Sequence, residues 1–122
     1  DLVGKVVVVP VGTVYYEKLK TMPGIKEVRT VPAETDGLQN LLSGRADAWV
    51  TDGFVAYEAQ KKHGKGKLVV GDDILPQRNA MVVAKGNGEL LKAANEALTA
   101  LMKDGTYKRL SMKYFERDIR CP

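Results

Sequence analysis

The chain has almost no cysteine. Its one such residue, Cys121, lies second from the end of 122 residues. That excludes a disulfide framework and a cysteine-built zinc site within the chain. A lone thiol there is either incidental or the partner of a cysteine elsewhere. There is also one histidine, His63, in a Gly/Lys turn, with no second ligand at metal spacing. It reads as a surface residue, so no metal is expected. No apolar run approaches the roughly 20 residues needed to span a bilayer, and the densest, Val6–Val9, has the length of a strand. Neither the GxGxxG nor the GxxxxGK[ST] pattern occurs, so nucleotide binding has no support and no cofactor is expected. No secretory signal opens the chain, which starts on "DLVGK". A mature or excised piece would look the same, which leaves the compartment open.

An excess of one charge is also small. Net charge is +4, and the 19 basic residues are spread along the chain except for "KKHGKGK", Lys61–Lys67. Lysines favour a helix C-terminus and glycine ends helices, so this cluster reads as a solvated helix end and turn. No aromatic platform or basic recognition helix accompanies it, which argues against nucleic acid as a partner.

What is present is the composition of an ordinary globular domain, 44% hydrophobic and 28% charged. "KVVVVP" (Lys5–Pro10) is β-branched and continuous, the pattern of a strand buried on both faces in a parallel sheet. Thr13 is placed to cap a helix of about two turns, to Lys20, before Pro23-Gly24 breaks it. "IKEVRTV" (Ile25–Val31) alternates and suggests a strand nearer an edge. Leu38, Leu41 and Leu42 fall at helical spacing, with Thr35 or Asp36 as cap and Gly44 as the C′ residue. "ADAWVT" predicts the next strand, "DGFVAYEAQKKHG" a helix, and "KLVVG" a further short strand. Strands and helices therefore alternate through Gly71, the signature of an α/β unit with a mostly parallel sheet. Beyond it, "NAMVVAK" (Asn79–Lys85) predicts a strand. A helix over about Glu89–Lys103 carries Leu91, Ala94, Leu98 and Leu101 on one stripe. "DGT" ends it and starts a second helix with Tyr107, Leu110, Ser111 and Tyr114 on one face.

In open parallel sheets, ligands bind outside the carboxyl ends of the strands. Two such ends stand out. After the first strand, "PVGTVYY" offers the backbone N–H groups of Gly12 and Thr13 and a hydroxyl to an anion. After the Trp49 strand, Asp52 offers an acceptor suited to an ammonium. If the two strands are neighbours, the pair forms a recognition site for a zwitterion. The alternative is that Asp52 and Thr13 are helix N-caps and nothing more.

"DLVGKVVVVPVGTVYYEKLK", "LQNLLSGRADAWVTDGFVAYEAQKK" and "AMVVAKGNGELLKAANEALTALMKDGTYKRLSMKYF", in that order, resemble the family 3 extracellular solute-binding proteins. These are periplasmic amino-acid receptors of ABC importers. The resemblance implies a type II periplasmic binding protein-like α/β fold: two lobes joined by crossover strands, closing on the ligand like a hinged clamp. By that likeness residues 1–75 are the second lobe. Residues 76–122 supply a crossover strand and two helices of the first lobe, whose amino-terminal half is absent, as in a truncated receptor. Asp52 falls on the acid that binds the ligand's α-ammonium, and Gly12 and Thr13 on the loop that receives its α-carboxylate. Val14 falls where many members have Thr or Ser, so a backbone N–H remains but a hydroxyl bond is lost. Tyr15 and Tyr16 look into the cleft or into the core or lie on the helix surface, and Arg78 is either a cleft residue or structural.

The implied partners are a polar or charged amino acid and a membrane permease. The apolar stripes of the last two helices suggest that the chain folds back on itself or forms a homodimer, with exchange of that segment as one route. Two other classes share the fold. A cyclohexadienyl dehydratase would use a cleft carboxylate as acid, with Asp52 and Glu58 the candidates here. A sensor domain would report ligand to a fused or partner module.

Overall fold

A computed structural model describes residues 1–63, 66–76 and 78–120. Gly64 and Lys65 of the basic cluster, Gln77, Cys121 and Pro122 lie outside the described residues. The chain divides into two compact units, Asp1–Leu75 and Pro76–Pro122.

In the first unit, β1 (Val6–Pro10), β2 (Glu27–Val31) and β3 (Ala48–Trp49) form a parallel sheet in the order β2-β1-β3. The central place of β1 explains its unbroken valines, because helices cover both its faces. Val7 and Val9 pack with Leu19 of α1 (Val14–Lys20) on one face. Val8 packs with Val31, Ala46 and Trp49 on the other. The alternating β2 is an edge strand, as its pattern predicts. Its buried end, Val31, accepts a hydrogen bond from Val11 N at 2.9 Å.

The second helix, α2 (Glu34–Leu42), begins one residue before the expected cap pair Thr35/Asp36, with Ala33 at the N-cap. Alanine has no side-chain acceptor, and the end is secured from inside the helix: Asp36 Oδ2 accepts from Ala33 N at 3.2 Å. The C-terminus follows the expected chemistry. Gly44 takes φ +71° at C′. Its N–H bonds Leu41 O at 3.1 Å, and Arg45 N bonds Asn40 O at 2.9 Å, the paired bonds of a Schellman stop. Helix α2 lies on β3 through Gly37, and a Cβ there would stand 2.4 Å from Trp49 Nε1. The third helix, α3 (Gly53–His63), closes the alternation. The strand expected over Lys67–Gly71 shrinks to a single bridging residue, Leu68, whose carbonyl accepts from Gln60 Nε2 at 3.0 Å.

The second unit contains α4 (Gly88–Lys103) and α5 (Thr106–Phe115). Asn87 caps α4 by accepting from Leu90 N at 3.3 Å. Asp104 accepts from Thr106 N at 2.8 Å at the start of α5, and that bond holds its carboxyl below the usual value. The strand expected over Asn79–Lys85 does not form. A strand needs a hydrogen-bonding neighbour, and no described segment pairs with this one. On the predicted stripe of α4, Ala94 and Leu98 are half-buried, while Leu91 and Leu101 are exposed. No residue of that helix is buried. Among the described residues no helix is long and apolar enough to cross a membrane.

Candidate functional site

The strand order makes the site. The chain passes from β1 to β2 on one side, then returns across β1 to lay down β3 on the other. The gap between β1 and β3 is therefore a topological switch point, where the loops leaving two neighbouring strands turn apart. Val7 pairs with Ala48 and Val8 with Trp49. Parallel neighbours are about 4.8 Å apart, so the loops that carry Gly12–Thr13 and Asp52 leave neighbouring strands at the same edge of the sheet.

Each loop has a local cause. Gly12 sits at φ +75°, a conformation that suits a residue without Cβ. The turn is closed by Thr13 Oγ1, which donates to Pro10 O at 2.9 Å. Thr13 occupies the N-cap position of α1 but makes no side-chain cap bond. Its hydroxyl proton is thus committed inside the turn, and the backbone N–H groups of Gly12, Thr13 and Val14 are what the loop presents. Val14 is 55% exposed, so its side chain is an apolar surface at the rim rather than a core residue.

Asp52 meets the capping reading of the sequence. Its Oδ1 accepts from Phe54 N at 2.8 Å, and its backbone oxygen accepts from Ala56 N at 3.0 Å, so it caps α3. Its Oδ2 has no hydrogen bond or ion pair among the described residues. Tyr15 has two roles. Its ring packs on the Val7–Val9–Leu19 cluster, and its phenol feels Asp52. Burial raises its pKa above 10.0 first, followed by the charges of Asp52, Glu34 and Asp73.

Glu34 and Asp73 are the rim acids that pattern reading missed. Glu34 comes from the third loop at the same sheet edge, after β2, and accepts from Thr51 Oγ1 at 2.7 Å. A signal was present: an acid at the first position of a helix that follows a parallel strand also stands at the ligand-facing edge.

The remaining candidates fall elsewhere. Tyr16 also packs on the Leu19 cluster, with Lys20 Nζ 4.8 Å from its ring centre. His63 ends α3 on the surface. Arg78 is exposed in the second unit. Glu58 is exposed and paired with Lys62 at 3.0 Å. Among the described residues no group of three His, Cys, Asp or Glu could hold a metal ion.

The family described as bacterial extracellular solute-binding proteins, family 3, matches residues 14–117. The chain belongs to that family. It is similar to the L-cystine-binding protein TcyJ of Escherichia coli (strain K12), with 38% identity over 98% of this chain and 45% of the relative. The probable amino-acid-binding protein YxeM of Bacillus subtilis (strain 168) is 35% identical over 98% of this chain and 47% of the relative. Among solved structures, an ancestral arginine-binding protein bound to glutamine superposes with a TM-score of 0.73 at 34% identity. That match covers 95% of this chain and 52% of the other. The fold is thus that of the periplasmic binding proteins, and the chain spans about half the length of the curated relatives it matches.

The electrostatic influence of the rim acids on Tyr15 gives a pH prediction. The Tyr15 phenol is expected to titrate above 10.0 and to move back toward that value in Asp52→Asn, read from ring-carbon NMR shifts. The folded state holds the phenol proton more tightly than the unfolded chain does. Stability is therefore complete below the unfolded value and falls as pH rises past it. Equal midpoints in the wild type and the variant would separate Tyr15 from Asp52.

Proposed function

We propose that this chain carries half of an amino-acid-binding site in a solute-binding receptor without catalytic activity. Asp52 receives the α-ammonium, and the amides of Gly12, Thr13 and Val14 receive the α-carboxylate. Tyr15 forms the wall between them. The observation that supports the reading is the shared edge: an Asp52 carboxylate whose Oδ2 has no hydrogen bond or ion pair among the described residues and an amide-bearing turn follow adjacent parallel strands. A zwitterion presents the complementary pair of charges, and charge-assisted hydrogen bonds to both ends are roughly twice as strong as neutral ones. The names of the relatives, for cystine and for amino acids generally, support the ligand class.

On this reading residues 1–75 form one lobe and 76–122 contribute to a second, and closure of the two on the ligand is what an ABC permease senses. The family description supports a periplasmic or extracellular place. The deciding experiment is calorimetry of the full-length protein against an amino-acid panel that includes L-cystine, L-arginine and L-glutamine. Micromolar or tighter binding of an α-amino acid, lost when its amine is acetylated, is expected. Indifference to acetylation would refute the site.

The exposed Leu90, Leu91, Leu101, Met102 and Leu110 of α4 and α5 support a further expectation. Apolar surface of that extent favours association, so the 122-residue chain by itself is expected to dimerise through the second unit. Light scattering at micromolar concentration tests this, and a strict monomer is the contrary outcome.

A further inference from the structure

We propose that Thr51 and Glu34 are positioning residues for Asp52: their side-chain hydrogen bond fixes the direction in which the ammonium-binding carboxylate leaves the sheet. The inference rests on the site described above. Strand β3 is two residues long, and the last bond from it to β1 is Val50 N to Val8 O at 2.9 Å. Beyond that bond the ladder no longer holds the chain, yet Asp52 follows only two residues later.

Alternation along the strand decides what holds it instead. Trp49 packs on the α2 side with Val8, and Val50 packs on the opposite side with Val7, Val9 and Leu19. Thr51 therefore turns again toward α2, and Asp52 toward the side of Tyr15. At Thr51 the partner is Glu34, the first residue of α2, at 2.7 Å. Three residues along that helix, Gly37 touches Trp49. One helical turn thus tracks two residues of strand, and Thr51–Glu34 continues the α2–β3 packing past the end of the ladder. The bond spans 17 residues of sequence, whereas the side-chain pairs Arg29–Glu27, Lys62–Glu58 and Arg120–Asp118 are all local. Both partners are half-buried, so water competes weakly for the bond.

The test uses four variants of the full-length protein: Thr51→Val, Thr51→Ser, Glu34→Gln and Glu34→Ala. Two readouts are followed. One is hydrogen exchange at the Phe54 amide, which Asp52 Oδ1 accepts. The other is affinity for L-cystine and L-arginine. Thr51→Val is expected to speed Phe54 exchange and to weaken binding by up to about tenfold. Thr51→Ser keeps the hydroxyl and Glu34→Gln keeps an acceptor oxygen, so both are expected to behave as wild type. Glu34→Ala and Thr51→Val together are expected to cost no more than either alone.

Wild-type exchange and affinity in Thr51→Val would overturn the proposal, as would equal damage from Val and Ser. So would damage in Glu34→Gln equal to that in Glu34→Ala, because Glu34 would then act through its charge on the ligand. If Asp52→Asn leaves affinity unchanged, the site reading itself fails, while Phe54 exchange still decides whether Thr51 holds Asp52.

Discussion

Replacing Asp52 by alanine in the full-length protein is expected to weaken amino-acid binding by about 2–5 kcal/mol, the usual cost of truncating one partner of a buried charge pair. That corresponds to roughly thirtyfold to several thousandfold in Kd. The size follows from the desolvation left behind. A desolvated ammonium without its counter-charge loses water and gains nothing. Asp52→Asn is the sharper variant, because the amide oxygen can still accept from Phe54 N and keep the start of α3 capped. Asp52→Ala removes that cap as well, at about 1 kcal/mol of stability. A loss of affinity in both variants, with a loss of stability mainly in alanine, separates the two duties of the residue. Unchanged affinity in Asp52→Asn would remove the side chain from the ligand.

Gly37→Ala carries the second large effect, and it is an effect on folding. A Cβ at Gly37 would stand 2.4 Å from Trp49 Nε1 and 2.5 Å from Cδ1, closer than real carbons approach. The neighbour is a ring wedged between helix and sheet rather than the free end of a flexible chain, so it cannot swing aside cheaply. Forced overpacking costs typically about 1–3 kcal/mol. Alanine returns at most about 1 kcal/mol through its better helix propensity. The clash is expected to win, and chemical denaturation followed by fluorescence of the single tryptophan should show a lower midpoint. Trp49 Nε1 is buried without a hydrogen-bond partner among the described residues. Trp49→Phe removes that orphan donor together with the clashing edge, so it is expected to restore part of the loss in the Gly37→Ala background. No recovery in the double variant would place the strain elsewhere. If Gly37→Ala proves more stable than wild type, α2 does not approach β3 this closely.

The contrast between these residues shows what pattern reading can reach. Gly44 was legible as a helix stop because glycine in the left-handed conformation has a local sequence context. Gly37 was not legible, because its reason is an indole 12 positions away in sequence. The strand of valines announced its own burial, since a segment covered on both faces needs no polar alternation. "NAMVVAK" carried the same composition without becoming a strand, because strand formation also needs a partner that composition does not supply. Thr13 was legible as a helix start, whereas the bond of its hydroxyl to Pro10 O was set by the geometry of one turn.

The order and type of the elements from β1 to α3, the sharp helix stop at Gly44 and the membership in a solute-binding family were all determined by the sequence. Each rests on local periodicity or on a motif that keeps its spacing. Only the tertiary structure decided that β3 lies beside β1 rather than beside β2, so that the loops carrying Asp52 and Gly12 leave neighbouring strands. Only it brought Glu34 to the same rim through Thr51. The physical reason is common to both: hydrogen-bond register between strands and the packing of a helix across them couple residues tens of positions apart, and a pattern read along one chain contains no term for that coupling.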